Sequence, residues 1–454
     1  MKSKNTDITA VGLHIGLGLV TYFFKPFAKV YFVTLLIVFG YRIIMASNNQ
    51  RVFEILKACA YFVGAEVFFR MTKGSISYEA SKYLVIVFSL VGMVYKGISG
   101  KGYPYFVYIL CMIPSIFVAS TTLRFDAHFR TNIAFVLSGP VCLGVASLFT
   151  FDKRLSLNQF GEILWVMLLP LLTMTSYLFF YNPSIEEVLS STASNYATSG
   201  GFGPNQVATV LGLGMFISAV RFFMYSPTLQ TKIFHLLIFG LISYRALVTF
   251  SRGGVIAAVI TIAAFLYFFY QAVNLRKKGE LLFLVAIFFG GVFLTWTIST
   301  IETRGYIELR YGNKDALGRE KGDITTGRTE LFLEEIEGFI ESPFFGIGSS
   351  RAKDQRKEEE GQGVVSHNEV SRTLAEHGIF GIAMLGILIL MPLYYRSSNK
   401  RNLFFFSFLA FWFATINHSG MRIAAPAFVY ALALLNVTYE KRPLRRQQPE
   451  AIKK

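Results

Sequence analysis

The chain has 454 residues, of which 53% are hydrophobic and 16% charged, and its formal net charge at pH 7 is +16. Length alone would allow two or three soluble domains, but a soluble core cannot bury this much apolar surface, so the composition indicates a polytopic membrane protein. The basic residues cluster in short connections between apolar runs, which favours topology signals and anionic lipid headgroups over a nucleic-acid partner.

Apolar runs of about 20 residues can span a membrane, and they do so as helices because backbone groups cannot go unsatisfied in hydrocarbon. About fourteen such runs are present, and 54–69 and 402–417 are the weakest. The predicted fold class is all-α, a polytopic transmembrane helix bundle of about 12–14 spans with a large extracytoplasmic helical loop. In chain order the predicted spans are 8–24, 28–46, 54–69, 79–95, 103–121, 131–150, 159–180, 204–223, 232–250, 253–273, 280–299, 378–395, 402–417 and 421–438.

Lysine and arginine in the short loops predict which side of the membrane each connection faces. Basic residues recur in alternate connections and in the tail, whereas 181–203 has none, so both termini are predicted to be cytoplasmic. The predicted division of the chain is transmembrane helices over 1–299, including the outer 181–203 loop, a large extracytoplasmic loop over 300–377, C-terminal transmembrane helices over 378–438, and a basic cytoplasmic tail over 439–454.

The large loop carries the pattern of an amphipathic helix. Phe332, Ile336, Phe339 and Ile340 recur at i, i+4, i+7 and i+8, with glutamates off that stripe. A loop this long usually carries function or is disordered, and the helical pattern argues against disorder. We expect a helix lying on the outer surface of the bundle.

Several charged or polar residues fall at predicted outer helix ends. Arg70 and Arg124 are two of them, and Glu66 precedes Arg70 by four residues, so these two side chains are expected to pair on one helix face. His418 lies in the short turn "INHSGMR" with Arg422 nearby. These two residues have either a supporting role or simple interfacial polarity.

The stretch "GGFGPNQVA", residues 200–208, places polar side chains at the start of a predicted span. Pro204 is suited to the first position of a helix. Asn205 and Gln206 would then face the outer boundary, where they either bind sugar hydroxyls or phosphate, or cap the helix.

Two further arginines stand beside glycine. Arg252 lies in "TFSRGGVIAA" at a corner between two spans, and Arg328 lies in "TTGRTELF" at the head of the amphipathic helix. Guanidinium groups bind phosphate oxygens bidentately, so several of them converging on one outer pocket would suit a diphosphate. Each arginine alone is equally explained by snorkelling to the interface. Gly253 and Gly254 indicate close backbone approach at the corner or ordinary helix packing.

The stretch "VVSHNEVSRTLAEHGIFG", residues 364–381, places a histidine just before a predicted span. Ser366 and Glu369 fit a capping box, which predicts a helix starting there with His367 and Asn368 in its first turn. The helix dipole would then disfavour the charged imidazole, and a neutral histidine can act as a general base. The alternative is a polar interfacial histidine that anchors the helix.

Five of these stretches occur together in one order. They are "GPNQVA" at 203–208, "SRGG" at 251–254, "GRTELF" at 327–332, "SPFFGIG" at 342–348 and "SHNEVSRTLAEHGIFG" at 366–381. In this respect the chain resembles the bacterial O-antigen ligase and O-antigen polymerase family, membrane glycosyltransferases that take glycans from undecaprenyl diphosphate. The resemblance covers about residues 200–400, and the usual family layout has about twelve spans.

The resemblance implies roles for individual residues. Arg252 and Arg328 would hold the lipid diphosphate, and His367 would activate or orient the acceptor hydroxyl. No metal and no cofactor is expected. The residues predicted to support the site are Asn205, Gln206, Asn368, Arg124, Arg70 and Arg372, of which Arg124 and Arg70 rest on topology alone.

The function implied is glycosyl transfer at the outer face of the bacterial inner membrane, in surface polysaccharide biosynthesis. The acceptor is left open among lipid A-core, another glycan and a protein hydroxyl, the last being protein O-oligosaccharyl transfer. A rival from another class is a flippase for lipid-linked oligosaccharide. Transporters place their polar residues near the bilayer midplane, whereas here they lie at outer helix ends.

Overall fold

The computed structural model describes residues 4–124, 127–182, 184–185, 191–322, 327–360, 364–398 and 402–439. The chain forms nineteen α-helices within these ranges, together with two short strands and one 3₁₀ turn at Gly100–Gly102. The helices are α1 (Lys4–Phe23), α2 (Phe27–Met45), α3 (Arg51–Thr72), α4 (Ala80–Lys96), α5 (Tyr103–Leu110), α6 (Ile113–Thr122), α7 (Phe129–Thr150), α8 (Leu157–Tyr181), α9 (Pro204–Met224), α10 (Leu229–Leu247), α11 (Arg252–Ala272), α12 (Leu275–Glu302), α13 (Tyr306–Tyr311), α14 (Arg328–Glu341), α15 (Arg351–Glu360), α16 (Glu369–His377), α17 (Ile379–Ser398), α18 (Phe405–Ile416) and α19 (Ala424–Ala433).

Each of the fourteen predicted spans contains a helix, with α5 and α6 sharing the span 103–121. The last predicted span, 421–438, is helical only over Ala424–Ala433, because its final residues form a short strand, Asn436–Thr438. Eight helical segments in the described ranges are long and apolar enough to cross a membrane. The predicted fold class, an all-α polytopic helix bundle, is therefore confirmed. The protein is a multi-pass membrane protein, and the full number of spans stays a prediction.

Helix α3 was one of the two weakest spans in the sequence, yet it is buried along nearly its whole length. Its charged side chains lowered its hydropathy, and the structure pairs them inside the bundle. Lys57 contacts Glu54 at 2.6 Å. Arg70 contacts Glu66 at 2.5 Å, as predicted from the spacing of these two residues. Its most extensive packing is with α8. A buried charge is tolerated when it is paired, which explains how a polar helix can be central.

The span over 103–121 is interrupted. Helix α5 ends at Leu110 and α6 begins at Ile113, with Pro114 in the first turn of α6. Proline has no N–H to donate to the carbonyl of Leu110, four residues earlier, so the helical hydrogen-bond ladder cannot continue through this point.

A two-stranded parallel sheet joins the start of α8 to the end of α19. Strand β1 (Arg154–Ser156) pairs with β2 (Asn436–Thr438) in the register Arg154 to Asn436, Leu155 to Val437 and Ser156 to Thr438. The sheet lies at the C-terminal end of α19. The arginine and histidine residues described below cluster at the N-terminal end of the same helix, near Ala424.

The large loop contains helices α13 to α16. The amphipathic helix predicted there exists as α14, which packs against α16. Its protein-facing side, however, is not the apolar stripe: Glu335 and Gly338 are buried, whereas Phe332 and Ile340 are 38% and 69% exposed. The reason is that Glu335 finds polar partners inside the protein, so a carboxylate occupies the buried face.

Candidate functional site

The starts of α9 and α11 meet at one corner of the bundle. The side-chain oxygen of Asn205 accepts a hydrogen bond from Ser251 Oγ at 2.7 Å, which ties the two motifs together. A Cβ on Gly254 would overlap the backbone of Ala208, so the two helices touch through their main chains. This confirms the close backbone approach predicted at the SRGG corner. Asn205 is therefore engaged in joining α9 to α11.

His418 packs against this corner and accepts a hydrogen bond from Arg328. A Cβ on Gly253 would overlap the imidazole of His418, so only glycine fits there without displacing the ring. Arg328 donates from Nη1 to His418 Nδ1 at 3.1 Å, which places the imidazole proton on Nε2. Burial, followed by Arg328 and His367, lowers the pKa of His418 to about 3. His418 is thus a neutral support for Arg328, a role that the sequence left open.

Three arginines cluster where α11, α13 and α14 approach one another. Arg252 donates from Nη1 to the carbonyl of Arg310 at 3.4 Å, and Arg310 donates from Nε to the carbonyl of Phe250 at 2.9 Å. Burial, together with the positive charges of Arg252 and Arg328, lowers the pKa of Arg310 to about 10. The pKa of Arg328 is likewise lowered, by burial and then by Arg252.

Within the described ranges, no carboxylate lies within 4 Å of the guanidinium of Arg310 or Arg328. Guanidinium groups that converge in this way are suited to binding a multivalent anion. Arg310 was missed by the sequence reading, because no motif marks it and its position depends on a hydrogen bond to Phe250, sixty residues away.

The helix that follows His367 does not start as predicted. Asn368 is the N-cap of α16, and its side-chain oxygen accepts hydrogen bonds from the backbone N–H groups of Val370 and Ser371. The predicted capping box of Ser366 and Glu369 is therefore wrong, and His367 precedes the helix instead of lying in its first turn. Asparagine competes well with serine as an N-cap, and Ser366 is recruited elsewhere.

His367 lines a small cavity of about 50 Å³ with Arg328, Glu335, Asn368 and Asn417 among its walls. Such a volume holds a few water molecules or the hydroxyl end of a larger ligand. Burial, together with the nearby positive charges of Arg422, Arg328 and Arg356, lowers the pKa of His367 to about 4. Its Nδ1 atom is buried and has no hydrogen-bond partner within the described ranges. The imidazole is therefore neutral at ambient pH because of burial and arginines, and the predicted contribution of a helix dipole is not needed.

Two residues hold the His367 segment in place. Arg422 donates from Nη2 to the carbonyls of Val365 and Ser366, at 2.9 and 2.7 Å. Glu335 accepts hydrogen bonds from the hydroxyl of Ser366 at 3.1 Å and from that of Ser371 at 2.6 Å. Because Glu335 belongs to α14, whose first residue is Arg328, it couples the histidine to the arginine cluster.

Arg70 and Gln206 belong to a hydrogen-bond network that adjoins the site through Arg422. Arg70 donates to Gln206 Oε1 at 3.2 Å and to the carbonyl of Arg422 at 2.9 Å. Its charge is balanced by Glu66 at 2.5 Å and Glu79 at 3.0 Å. Arg70 therefore helps to position Arg422, and the charge of Arg70 itself is neutralised by the two glutamates.

The remaining predicted supporting residues lie in ion pairs of their own. Arg124 contacts Asp354 at 3.2 Å, and Arg372 is paired with Glu369 on α16. Arg372 also donates to the carbonyl of Val136 at 3.3 Å. These two arginines are bound to carboxylates, whereas Arg310 and Arg328 have no such partner among the described residues.

Comparison with known protein families gives a match over part of the chain. Residues 237–386 match the family described as O-antigen ligase, a segment that contains Arg252, Arg310, Arg328 and His367. No curated protein and no solved structure matches the chain. The family match supports a role as a glycosyl-transferring membrane enzyme in surface polysaccharide biosynthesis, with a lipid-linked glycan and an acceptor as substrates in general. The match over residues 237–386 confirms the family resemblance drawn from the sequence motifs.

Proposed function

We propose that the protein transfers a glycan from undecaprenyl diphosphate to an acceptor hydroxyl at the outer face of the bacterial inner membrane. The observation that carries this proposal is the cluster of Arg252, Arg310 and Arg328, two of which lack a carboxylate partner within the described ranges, beside a neutral histidine. A diphosphate is the multivalent anion that such a cluster would bind.

The arginines would act on the leaving group. As the bond between the anomeric carbon and the diphosphate oxygen breaks, negative charge grows on the lipid diphosphate. Positive groups already fixed in place stabilise that charge without having to reorganise, which is where they lower a barrier most. In this proposal Arg252 and Arg328 contact the diphosphate, and Arg310 adds charge behind them.

His367 would accept the proton of the attacking hydroxyl. The acceptor oxygen forms a bond to the anomeric carbon, the diphosphate leaves with the electron pair of the broken bond, and the hydroxyl proton moves to the imidazole. Direct displacement inverts the anomeric centre. With a pKa of about 4 the imidazole is a weak base, so it takes the proton late, when the attacking oxygen has become strongly acidic. A bound diphosphate would raise that pKa by offsetting the positive charge of the arginines.

Three acceptors fit this chemistry: lipid A-core, another lipid-linked glycan and a protein hydroxyl. The arginine cluster binds the donor in each case, so it does not discriminate between a ligase, a polymerase and a protein O-oligosaccharyltransferase. The product that accumulates in a deletion strain separates the first two, because loss of a ligase leaves full-length glycan on its lipid carrier and loss of a polymerase leaves single repeat units.

The test is glycan transfer by purified protein in detergent, with labelled lipid-linked glycan and a panel of acceptors. His367→Ala and Arg252→Ala are each expected to abolish transfer while protein levels in the membrane stay normal. The matched control is Arg319→Ala, since Arg319 lies in the same loop, is 72% exposed at its side chain and pairs only locally with Asp315. Near-normal transfer by the His367 or Arg252 variant would contradict the assigned roles. Absence of any transfer by the unmodified protein would favour the flippase, since vectorial transport has no meaning in detergent.

A further inference from the structure

A second cavity, of about 500 Å³, lies on the side of the bundle between α8, α10 and α12. Its volume is in the range of a bound small molecule or lipid segment. Most of its wall is apolar and comes from the predicted membrane spans. The lining includes Phe179, Leu236, Leu241, Tyr244, Leu294 and Ile298.

Glycine creates the space between α10 and α12. Gly291 lies against Leu236, and Gly240 faces Thr295, whose hydroxyl is 3.5 Å from where a Cβ on Gly240 would be. Leu241 and Leu294 on the same walls are 50% and 59% exposed. The cavity is therefore open to the surface that lipid chains would cover, and we call it the lateral groove.

A buried cation lines the outer end of the lateral groove. Arg245 is 1% exposed, and its guanidinium makes only long contacts, to the carbonyls of Asn182 at 3.5 Å and Thr198 at 3.3 Å. Its Nε atom is buried with no partner, and in the part of the chain that the structure describes no carboxylate lies within 4 Å of the guanidinium. The guanidinium carbon of Arg245, Cζ, lies 5.1 Å from the ring centre of Phe179. A charge left this incompletely satisfied inside a membrane span is costly, and ionisable residues in spans often mark a functional site.

An acidic residue lines the same groove at its rim. Glu302 is the last residue of α12 and is exposed, and it lies close enough to Tyr244 to act on that side chain electrostatically. The groove thus has a cation inside, a carboxylate at its mouth and apolar walls below. This order of charges complements a head group with a phosphate next to its lipid chains and an ammonium further out.

We propose that the lateral groove binds a zwitterionic phospholipid of the outer leaflet. Its phosphate contacts Arg245, its ammonium contacts Glu302, and one acyl chain lies between α10 and α12. A polyprenyl phosphate would satisfy Arg245 but offers nothing to Glu302. The site is distinct from the Arg252, Arg310 and Arg328 cluster, and the proposal does not depend on the transfer reaction.

The first test blocks the groove. Gly240→Leu places a side chain in the space beside Thr295, whereas Gly290→Leu adds the same side chain on α12 at a position with nothing within 4 Å. The purified proteins are incubated with equal amounts of phosphatidylethanolamine, phosphatidylglycerol and undecaprenyl phosphate, and bound lipid is counted by native mass spectrometry. We expect Gly240→Leu to reduce retained phosphatidylethanolamine at least tenfold and Gly290→Leu to leave it unchanged. Equal retention by the two variants would overturn the site.

The second test addresses the head group and avoids the fully buried arginine, whose loss threatens folding. Glu302→Gln changes only an exposed charge. It is expected to abolish the preference for phosphatidylethanolamine over phosphatidylglycerol while total bound lipid stays the same. An unchanged preference, or undecaprenyl phosphate as the dominant bound lipid in the unmodified protein, would refute recognition of a zwitterion.

Discussion

The contact between Arg328 and His418 provides a direct test of how the proposed anion site is held together. Arg328 donates to His418 Nδ1 at 3.1 Å, and the ring rests on Gly253 at the start of α11. His418→Ala removes the acceptor and leaves Arg328 free to move or to pair elsewhere. His418→Asn restores an acceptor near the position of Nδ1, whereas His418→Gln restores a polar group near the position of Nε2.

The magnitude follows from the nature of the bond. A hydrogen bond to a charged group contributes about 1.5–3 kcal/mol. If that energy holds Arg328 in its productive position, its loss lowers kcat/KM by roughly 10- to 150-fold, since about 1.4 kcal/mol is a factor of ten. We expect His418→Ala and His418→Gln to show this loss and His418→Asn to stay within a few-fold of the unmodified protein.

The assay is transfer of labelled glycan by purified variants at several donor concentrations, with folding checked by thermal unfolding. A matched control exists at the other end of α10, where Arg221 donates from Nε to His235 Nε2 at 3.2 Å. Residues 235 and 247 are separated by about 18 Å along a helix axis. His235→Ala therefore removes the same kind of bond far from the site, and is expected to change stability without a specific loss of kcat/KM.

Two outcomes would refute the reasoning about His418. Near-normal kcat/KM in His418→Ala would show that Arg328 does not need this acceptor. Full activity in His418→Gln together with a defect in His418→Asn would show that Nε2, and not the bond from Arg328, is the functional atom.

Two further predictions concern pH and packing. Because the pKa of His367 is lowered to about 4, its neutral form persists above that value, so kcat/KM should stay level from pH 7 to 5.5 and fall only as pH approaches 4; a roughly fivefold fall between pH 6.5 and 5.5, as an ordinary histidine would give, would count against His367 as the base. Gly253→Ala adds a methyl group that overlaps the ring of His418, at a cost of about 1–3 kcal/mol, and should lower transfer roughly 5- to 150-fold, whereas Gly386→Ala, with nothing within 4 Å of its Cβ, should have no effect; equal activities would show that the corner tolerates the methyl group.

Properties that depend on neighbouring residues could be predicted from the sequence alone. Each apolar run became a helix, because hydrocarbon leaves the backbone no other way to satisfy its hydrogen bonds. The pairing of Glu66 with Arg70 followed from helical spacing, and the close approach at Gly254 from the lack of a side chain. These predictions depend on residues that are neighbours in sequence or on one residue type.

Competition between local options was harder to predict. Ser366 had the spacing of an N-cap, but its hydroxyl contacts Glu335, and Asn368 caps the helix instead. The apolar stripe of α14 pointed to one buried face, yet Glu335 occupies that face because Arg356 and two serines come to meet it. In both cases a partner more than twenty residues away changed the outcome.

The sequence by itself determined that the chain is a membrane-spanning helix bundle, and its motifs marked Arg252, Arg328 and His367 as a set. Only the tertiary structure decided that Arg310 joins the two arginines, that His418 supports Arg328, and that Arg124 and Arg372 are neutralised by carboxylates. The physical reason is that a helix forms from interactions within a few residues, whereas the charge and proton affinity of a site depend on which distant side chains fold against it.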